Sequence, residues 1–126
     1  MAAQQIRAAV ERYVQLVATG STADILALYA PDAVVEDPIG SEPRRGHAAI
    51  GELYDALAQV QRKTELDAVR VNGRHAAVSF TLITEAGGTR MMLSPIDVME
   101  FDDEGRITSM RAYWGPDDAK IDPIES

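Results

Sequence analysis

The chain contains no cysteine, which removes disulfides, thiolate nucleophiles and cysteine-ligated metals from consideration. It has two histidines, His47 and His75, on different predicted elements and without a patterned acidic partner, so no metal site is expected. Positive charge is scarce: 12 Lys and Arg against 20 Asp and Glu leave a formal net charge of −8, with no basic run. A nucleic-acid partner is therefore not expected, because that affinity rests on neutralising phosphates. No segment approaches the ~20 consecutive apolar residues that span a bilayer. Residues 1–13 carry Arg7, Glu11 and Arg12 without an apolar stretch of signal-peptide length, so the expectation is a cytoplasmic chain with no membrane partner. Aromatics make up only 6% of the residues, so each one in a patterned position carries more information.

What is present reads as one domain of 126 residues, with residues 115–126 expected to form a loose acidic tail. Ile6, Val10, Tyr13, Val14 and Val17 recur at helical spacing and Gly20 supplies a stop, so the first helix is predicted over 3–18. A second, short helix is capped by Ser21 with Asp24 three residues on; it turns Ile25, Leu28 and Tyr29 inward and ends at Pro31. A short extended run, Ala33-Val34-Val35-Glu36-Asp37-Pro38-Ile39-Gly40, places Asp37 in parity with Ala33 and Val35. Asp37 is then either a turn-opening residue before proline or a carboxylate on an apolar face. Residues 41–46, with Arg44 and Arg45, read as a solvated connection, and a third helix over 47–61 has Ile50, Leu53, Tyr54 and Leu57 as its inner stripe.

After Arg62 the period changes from 3.6 to 2. Segments 66–71, 76–83, 91–101 and 107–114 read as strands joined at Asn72-Gly73, Gly87-Gly88 and Asp103-Glu104-Gly105. The predicted fold class is α+β, three helices laid on one face of a curved, mainly antiparallel sheet that leaves an apolar pocket. In the strand 91–101, Asp97 shares its face with Met91, Leu93, Pro95, Met99 and Phe101. A carboxyl so placed either finds a cationic partner or keeps its proton and becomes a hydrogen-bond donor. Tyr13, Tyr29 and Tyr54 all fall on inward faces, as core tyrosines or as a functional group. No internal repeat, phosphate-cradling glycine loop or nucleophile elbow is present.

Four segments together resemble the bacterial ketosteroid isomerases (steroid Δ-isomerases) of the NTF2-like, cone-shaped fold. They are Arg12-Tyr13-Val14-Gln15-Leu16-Val17, Val35-Glu36-Asp37-Pro38-Ile39-Gly40, Leu53-Tyr54, and Ile96-Asp97-Val98-Met99-Glu100-Phe101-Asp102 continuing through Gly105-Arg106-Ile107 to Ala112-Tyr113-Trp114. The similarity implies Tyr13 and Asp97 as oxyanion-hole donors, Asp97 protonated, and Asp37 as the general base. It implies Tyr29 and Tyr54 as hydrogen-bonding partners of the oxyanion tyrosine, Trp114 as the indole near the base, and Val17, Phe80, Met99 and Met110 in the substrate pocket. A carboxylic acid held neutral in such a site is a known pattern of this family. The resemblance further implies a steroid substrate, a homodimer and no cofactor. The strands between Leu66 and Leu93 depart from the family pattern and bear on size selectivity. The alternatives are a non-catalytic steroid- or lipid-binding protein, and a hydrolase or cyclase of the same fold, which would want an inward arginine relay.

Overall fold

The computed structural model describes residues 2–124, and their element order is ααββαβββββ followed by a 3₁₀ turn and a last strand. Helix α1 (Ala3–Thr19) buries the stripe Ile6, Val10, Tyr13, Val14, Leu16 and Val17, as its spacing predicts. Gly20 ends it with φ −87°, so no left-handed turn is involved. The glycine is needed for close approach: a Cβ there would lie 3.0 Å from the Leu16 carbonyl oxygen. Helix α2 (Thr22–Leu26) is capped by Ser21, whose hydroxyl accepts from the Asp24 amide.

Strand β1 (Tyr29–Glu36) replaces the predicted end of that helix. The correction has a physical cause: Leu28 accepts from the Ile107 amide at 2.8 Å and Tyr29 pairs with Ile107, so sheet pairing overrides a helix only two turns long. Pro31 falls where the pairing register shifts between Tyr29 and Val34, a place where a missing N–H costs little. The predicted connection 41–46 contains strand β2 (Arg44–Arg45), paired antiparallel with β1 through Val34 and Val35. Helix α3 (Gly46–Ala58) stops three residues short of its predicted end and buries Ile50, Gly51 and Tyr54.

Strand β3 (Gln61–Asn72) begins five residues earlier than predicted and pairs along its whole length with β4 (His75–Ala86). Its first half, Gln-Arg-Lys-Thr-Glu, is polar on both faces and gives no alternation to read. Thr64 and Arg62 tie it to α1, donating to the carbonyls of Val14 (2.9 Å) and Gly20 (3.1 Å). The predicted strand 91–101 is two strands, β5 (Thr89–Leu93) and β6 (Ile96–Phe101), interrupted at Ser94-Pro95. Both hold one register against β4, Leu93 opposite Leu82 and Ile96 opposite Ser79, so the facing read from the sequence survives the break. Asp97, Met99 and Phe101 are buried, while Ile96 is 48% exposed; the strand is covered on one face, not two. Strand β7 (Ile107–Tyr113) pairs antiparallel with β6 and parallel with β1.

The acidic tail corrects a second expectation. Pro116–Asp118 forms a 3₁₀ turn and Ala119–Pro123 forms β8, antiparallel to β5; Glu125 and Ser126 lie outside the described residues. The sheet order is β2-β1-β7-β6-β4-β5-β8, with β3 on the other side of β4. Helix α1 packs on β3 and β4, and α3 on β1. The core between helices and sheet is one cluster, confirming the α+β class, and no helix among the described residues is long and apolar enough to cross a membrane. Removing residues 116–126 should strip β5 of its outer partner, exposing its edge. We expect a loss on the order of 1–3 kcal/mol in a urea melt; an unchanged midpoint would mean that β8 adds nothing to the sheet.

Candidate active site

Inward-facing positions from five parts of the chain converge on one cavity of about 50 Å³. Helix α1 contributes Tyr13 and Val17, and β4 contributes Phe80 and Leu82. The bent β5–β6 segment adds Leu93, Pro95 and Asp97, alternate residues and so on one face. Asp37, just past β1, and Ala112 and Trp114 at the end of β7 close the ring. The Ile39 amide donates to the Ala112 carbonyl at 2.8 Å, which holds Asp37 beside the end of β7. Across β7, Asp97 pairs with Ala112. Ala112 therefore lies between the two carboxyls, and its single methyl leaves the space that forms the cavity.

The carboxyls differ in their surroundings. Asp97 is 2% exposed and its Oδ1 has no hydrogen-bond partner. Burial, followed by the neighbouring Asp37 carboxylate, pushes its pKa well above the usual carboxylate range, against a hydrogen bond from Tyr13 that acts the other way. Asp37 is half-buried, and its Oδ1 accepts from the Trp114 indole N–H at 2.8 Å. Burial raises its pKa too, but the indole and the Arg44 guanidinium offset part of that rise. One carboxyl is thus steered toward its neutral form while the other retains support for its charge.

Behind the cavity three phenols are linked. The Tyr54 hydroxyl bonds Tyr13 at 2.9 Å and Tyr29 at 2.7 Å, and all three are at most 3% exposed. Burial is the main cause that raises the pKa of each, so the chain stays protonated and can pass hydrogen-bond polarisation to Tyr13. Tyr13 also meets Tyr29, Tyr54 and Phe80 edge-on, with ring centroids 6.4–6.5 Å apart. Its ring cannot swing without disturbing that packing.

Of the residues singled out by sequence, Tyr13, Asp37, Asp97, Trp114, Val17 and Phe80 line the cavity, and Tyr29 and Tyr54 stand behind it. Met99 and Met110 do not line it. They face each other across β6 and β7, fully buried, one inward step from Asp97 and Ala112, where the core is already filled. The residues missed are Leu82, Leu93, Pro95 and Ala112. Leu93 and Pro95 carried a signal, since they share Asp97's parity; Ala112 carried none, because only strand pairing sets it between two acids. Arg44, read as solvated, is half-buried beside Asp37. Among the described residues no acid and histidine cluster could hold a metal.

The constellation offers two hydrogen-bond donors, Tyr13 and neutral Asp97, and one carboxylate base in an apolar enclosure. That set can remove a carbon-bound proton while stabilising the oxyanion that forms.

A SnoaL-like domain model matches residues 10–110. The chain is 54% identical over 119 residues to a steroid Delta-isomerase of Nocardioides simplex, covering 94% of this chain and 97% of that protein. Among solved structures, the Delta 5-3-ketosteroid isomerase from Mycobacterium sp. matches with a TM-score of 0.84 and 28% identity, over 94% of this chain and 98% of that one. The epoxide hydrolase/cyclase-like enzyme SalBIII, studied for pyran ring formation in the polyether salinomycin, matches with a TM-score of 0.87 and 27% identity, over 94% of this chain and 96% of that one.

Two outcomes follow from the site alone. Because burial raises the Asp97 pKa in the folded chain, the native state binds more protons than the unfolded state above the unfolded carboxyl pKa of about 3.9. Its contribution to stability therefore falls as pH rises, by up to about 1.4 kcal/mol per pH unit until its folded pKa is reached. Asp97→Asn, which cannot ionise, should gain on the parent from acid to neutral pH in urea melts; a pH-independent difference would contradict a neutral Asp97. Ala112→Leu should fill the cavity and abolish binding of any ligand that enters it, read by calorimetry, while the circular dichroism spectrum stays that of the parent.

Proposed function

The chain belongs to the SnoaL-like family, on the side of the NTF2-like fold that holds the ketosteroid isomerases, and from that membership we propose that it is a cofactor-independent steroid Δ-isomerase. Its substrate is a 3-oxo-Δ5-steroid and its product the conjugated 3-oxo-Δ4 isomer. The observation that carries this reading is the buried Asp97 carboxyl with an unpartnered oxygen, sharing one cavity with Tyr13 and Asp37.

In the proposed reaction the substrate ketone oxygen enters between Tyr13 and Asp97. The Asp37 carboxylate takes the proton from the carbon between the ketone and the double bond; that C–H pair becomes the π bond of a dienolate, whose oxygen accepts from Tyr13 and Asp97. Protonated Asp37 then returns the proton to the far carbon of the dienolate on the same face, leaving the conjugated enone and a regenerated carboxylate. Donors already aimed at the developing charge, which need not reorganise as bulk water would, supply most of the barrier reduction. The Tyr54 and Tyr29 hydroxyls hold Tyr13 in place, and the Trp114 indole keeps Asp37 aimed as its proton comes and goes.

A cavity of about 50 Å³ takes only the ketone end of a ring system. Asp37 also lines a neighbouring cavity of about 390 Å³, so a larger ligand has room beyond the base once side chains between the two give way. Homodimer formation belongs to the same reading. Ile96 and Tyr113, 48% and 45% exposed, pair side by side on the outer face of the sheet and suit contact with a second copy.

A second reading is epoxide opening, favoured by the likeness to SalBIII. Asp37 would take a proton from a hydroxyl nucleophile while Asp97 protonates the epoxide oxygen as its C–O bond breaks. The 54% identity to a steroid Delta-isomerase favours isomerisation.

Incubating the purified protein with a 3-oxo-Δ5-steroid should raise the ultraviolet absorbance of the conjugated enone; binding without turnover would overturn isomerisation in favour of a carrier, and conversion of an epoxide alone would favour the second reading. Asp37→Asn should cut turnover by about 10²–10⁴ while a planar phenolic steroid still binds. Tyr13→Phe should cost about 10²–10³ in kcat with a smaller change in KM. Asp97→Asn, which can still donate, should be milder than Asp97→Leu; equal losses would mean that donation is not what Asp97 supplies. Sedimentation should give a dimer that Tyr113→Asp shifts toward monomer.

A further inference from the structure

Asp37 is shared by two cavities. One is the enclosed site with Tyr13 and Asp97; the other, about 390 Å³, is lined by Asp37, Ser41, Glu42, Pro43, Arg44 and Ala49. The second has one cation, Arg44, in a chain whose net charge is −8. Arg44 is not a free surface residue. Its backbone pairs with Val35, two residues before Asp37. Its guanidinium donates through Nη1 to the Ala49 carbonyl at 3.0 Å and meets Glu52 at 3.4 Å, leaving the side chain 36% exposed. The intervening loop is drawn tight as well, the Ser41 amide and hydroxyl both donating to the Pro38 carbonyl, at 3.0 and 2.6 Å.

We propose that Arg44 is a positioning residue for the base: pinned by the Ala49 carbonyl at the rim of the outer cavity that Asp37 also lines, its guanidinium is the counter-charge for that carboxylate. This sets the acid limit of the reaction and rests on the isomerase reading above. The need for such a counter-charge is visible in what else faces Asp37. Tyr13, Trp114 and Asp97 share its enclosed cavity, Tyr54 stands behind that cavity, and Glu42 lines its outer one. Glu52 reaches it only through Arg44. Trp114 offers a neutral hydrogen bond, and the others are acids or phenols; Arg44 alone contributes positive charge among these groups. Consistently, the guanidinium is one of two influences that hold the Asp37 carboxyl down against burial. A base that must be bare to start and protonated halfway needs its affinity for the proton bounded from above, and a partly solvated arginine bounds it without locking the carboxylate in a direct ion pair.

The test is the titration of the Asp37 carboxyl, followed by carbon NMR in the full chain, which requires no turnover. In Arg44→Gln, Asp37 should titrate about half a unit to one unit higher than in the parent, less than the one to three units of a dry pair because the guanidinium is partly solvated. Arg44→Lys should restore most of the shift. Glu52→Gln, which removes the acid that dilutes Arg44, should move Asp37 the opposite way and keeps the proposal testable if Arg44→Gln fails to fold. In the enone assay the loss in kcat/KM for Arg44→Gln should be concentrated at acid pH, about three- to tenfold one unit below the parent's limb. An Asp37 titration that coincides in parent and Arg44→Gln, or a loss equal at every pH, would reduce Arg44 to a loop tether. A parent that shows the Asp37 shift but no isomerisation would overturn the isomerase reading and leave the Arg44 assignment standing.

Discussion

Keeping one carboxyl out of water beside another is the constraint around which this molecule is arranged. Asp97 lies 2% exposed with an unpartnered oxygen, and ionising it there would place a charge in apolar surroundings within reach of a second acid. The chain does not resolve this with a buried cation. Burial steers Asp97 toward its neutral form, while Trp114 and Arg44 support negative charge on Asp37. Two residues of one type thereby differ through their neighbours alone: burial raises the pKa of both, but only Asp37 has an indole and a guanidinium to offset part of the rise. The phenol chain behind Tyr13 fits the same logic, since three buried hydroxyls with raised pKa values add donors without adding charge.

The fold exists to make that asymmetry possible. Asp97 is inward because β6 keeps β5's register against β4 through the Ser94-Pro95 break; a slip of one residue would put Ile96 in the cavity and the acid in solvent. Asp37 is less buried because it sits past the end of β1, where the strand leaves the sheet and the chain turns toward β2. Ala112, paired with Asp97 on one side and bonded to Ile39 on the other, keeps the acids apart by a single small residue. The helices supply the lid: α1 brings Tyr13 down onto the sheet, and α3 brings Tyr54 alongside it.

Much of this was legible in the sequence, and what was not has identifiable causes. Helical spacing in α1 and α3 and the period-2 facing of Asp97 depend on local pattern; for Asp37 the pattern leaves a turn opener and an apolar-face carboxylate both open, and the structure puts it half-buried at the cavity. The places that misled are those where tertiary pairing overrode or replaced pattern. Tyr29 was read as the end of a helix because Ile25, Leu28 and Tyr29 share a helical stripe, yet pairing with Ile107 draws it into β1. The tail read as loose because it is acidic and short of apolar residues; its strand is held by backbone bonds to β5, which composition does not reveal. Met99 and Met110 were placed in the pocket by resemblance, but they fill the core one step away. Ala112 and Arg44 were missed for a shared reason: each matters through what lies across a strand pair, and neither residue type advertises it.

The same arrangement is not one that stability alone would select. A buried acid with an unpartnered oxygen, three hydrogen-bonded phenols beside it and a cavity opposite an alanine are all features that an apolar filling would remove at a gain in packing. Their presence together in one cavity, rather than scattered through the core, argues that they serve a ligand whose polar end completes the hydrogen bonding that the protein leaves open. In the proposed reaction a ketone oxygen would answer that requirement, accepting from Tyr13 and Asp97 together and gaining negative charge as Asp37 takes the proton. The cost of holding Asp97 in the free protein is then offset in the step where its proton is used.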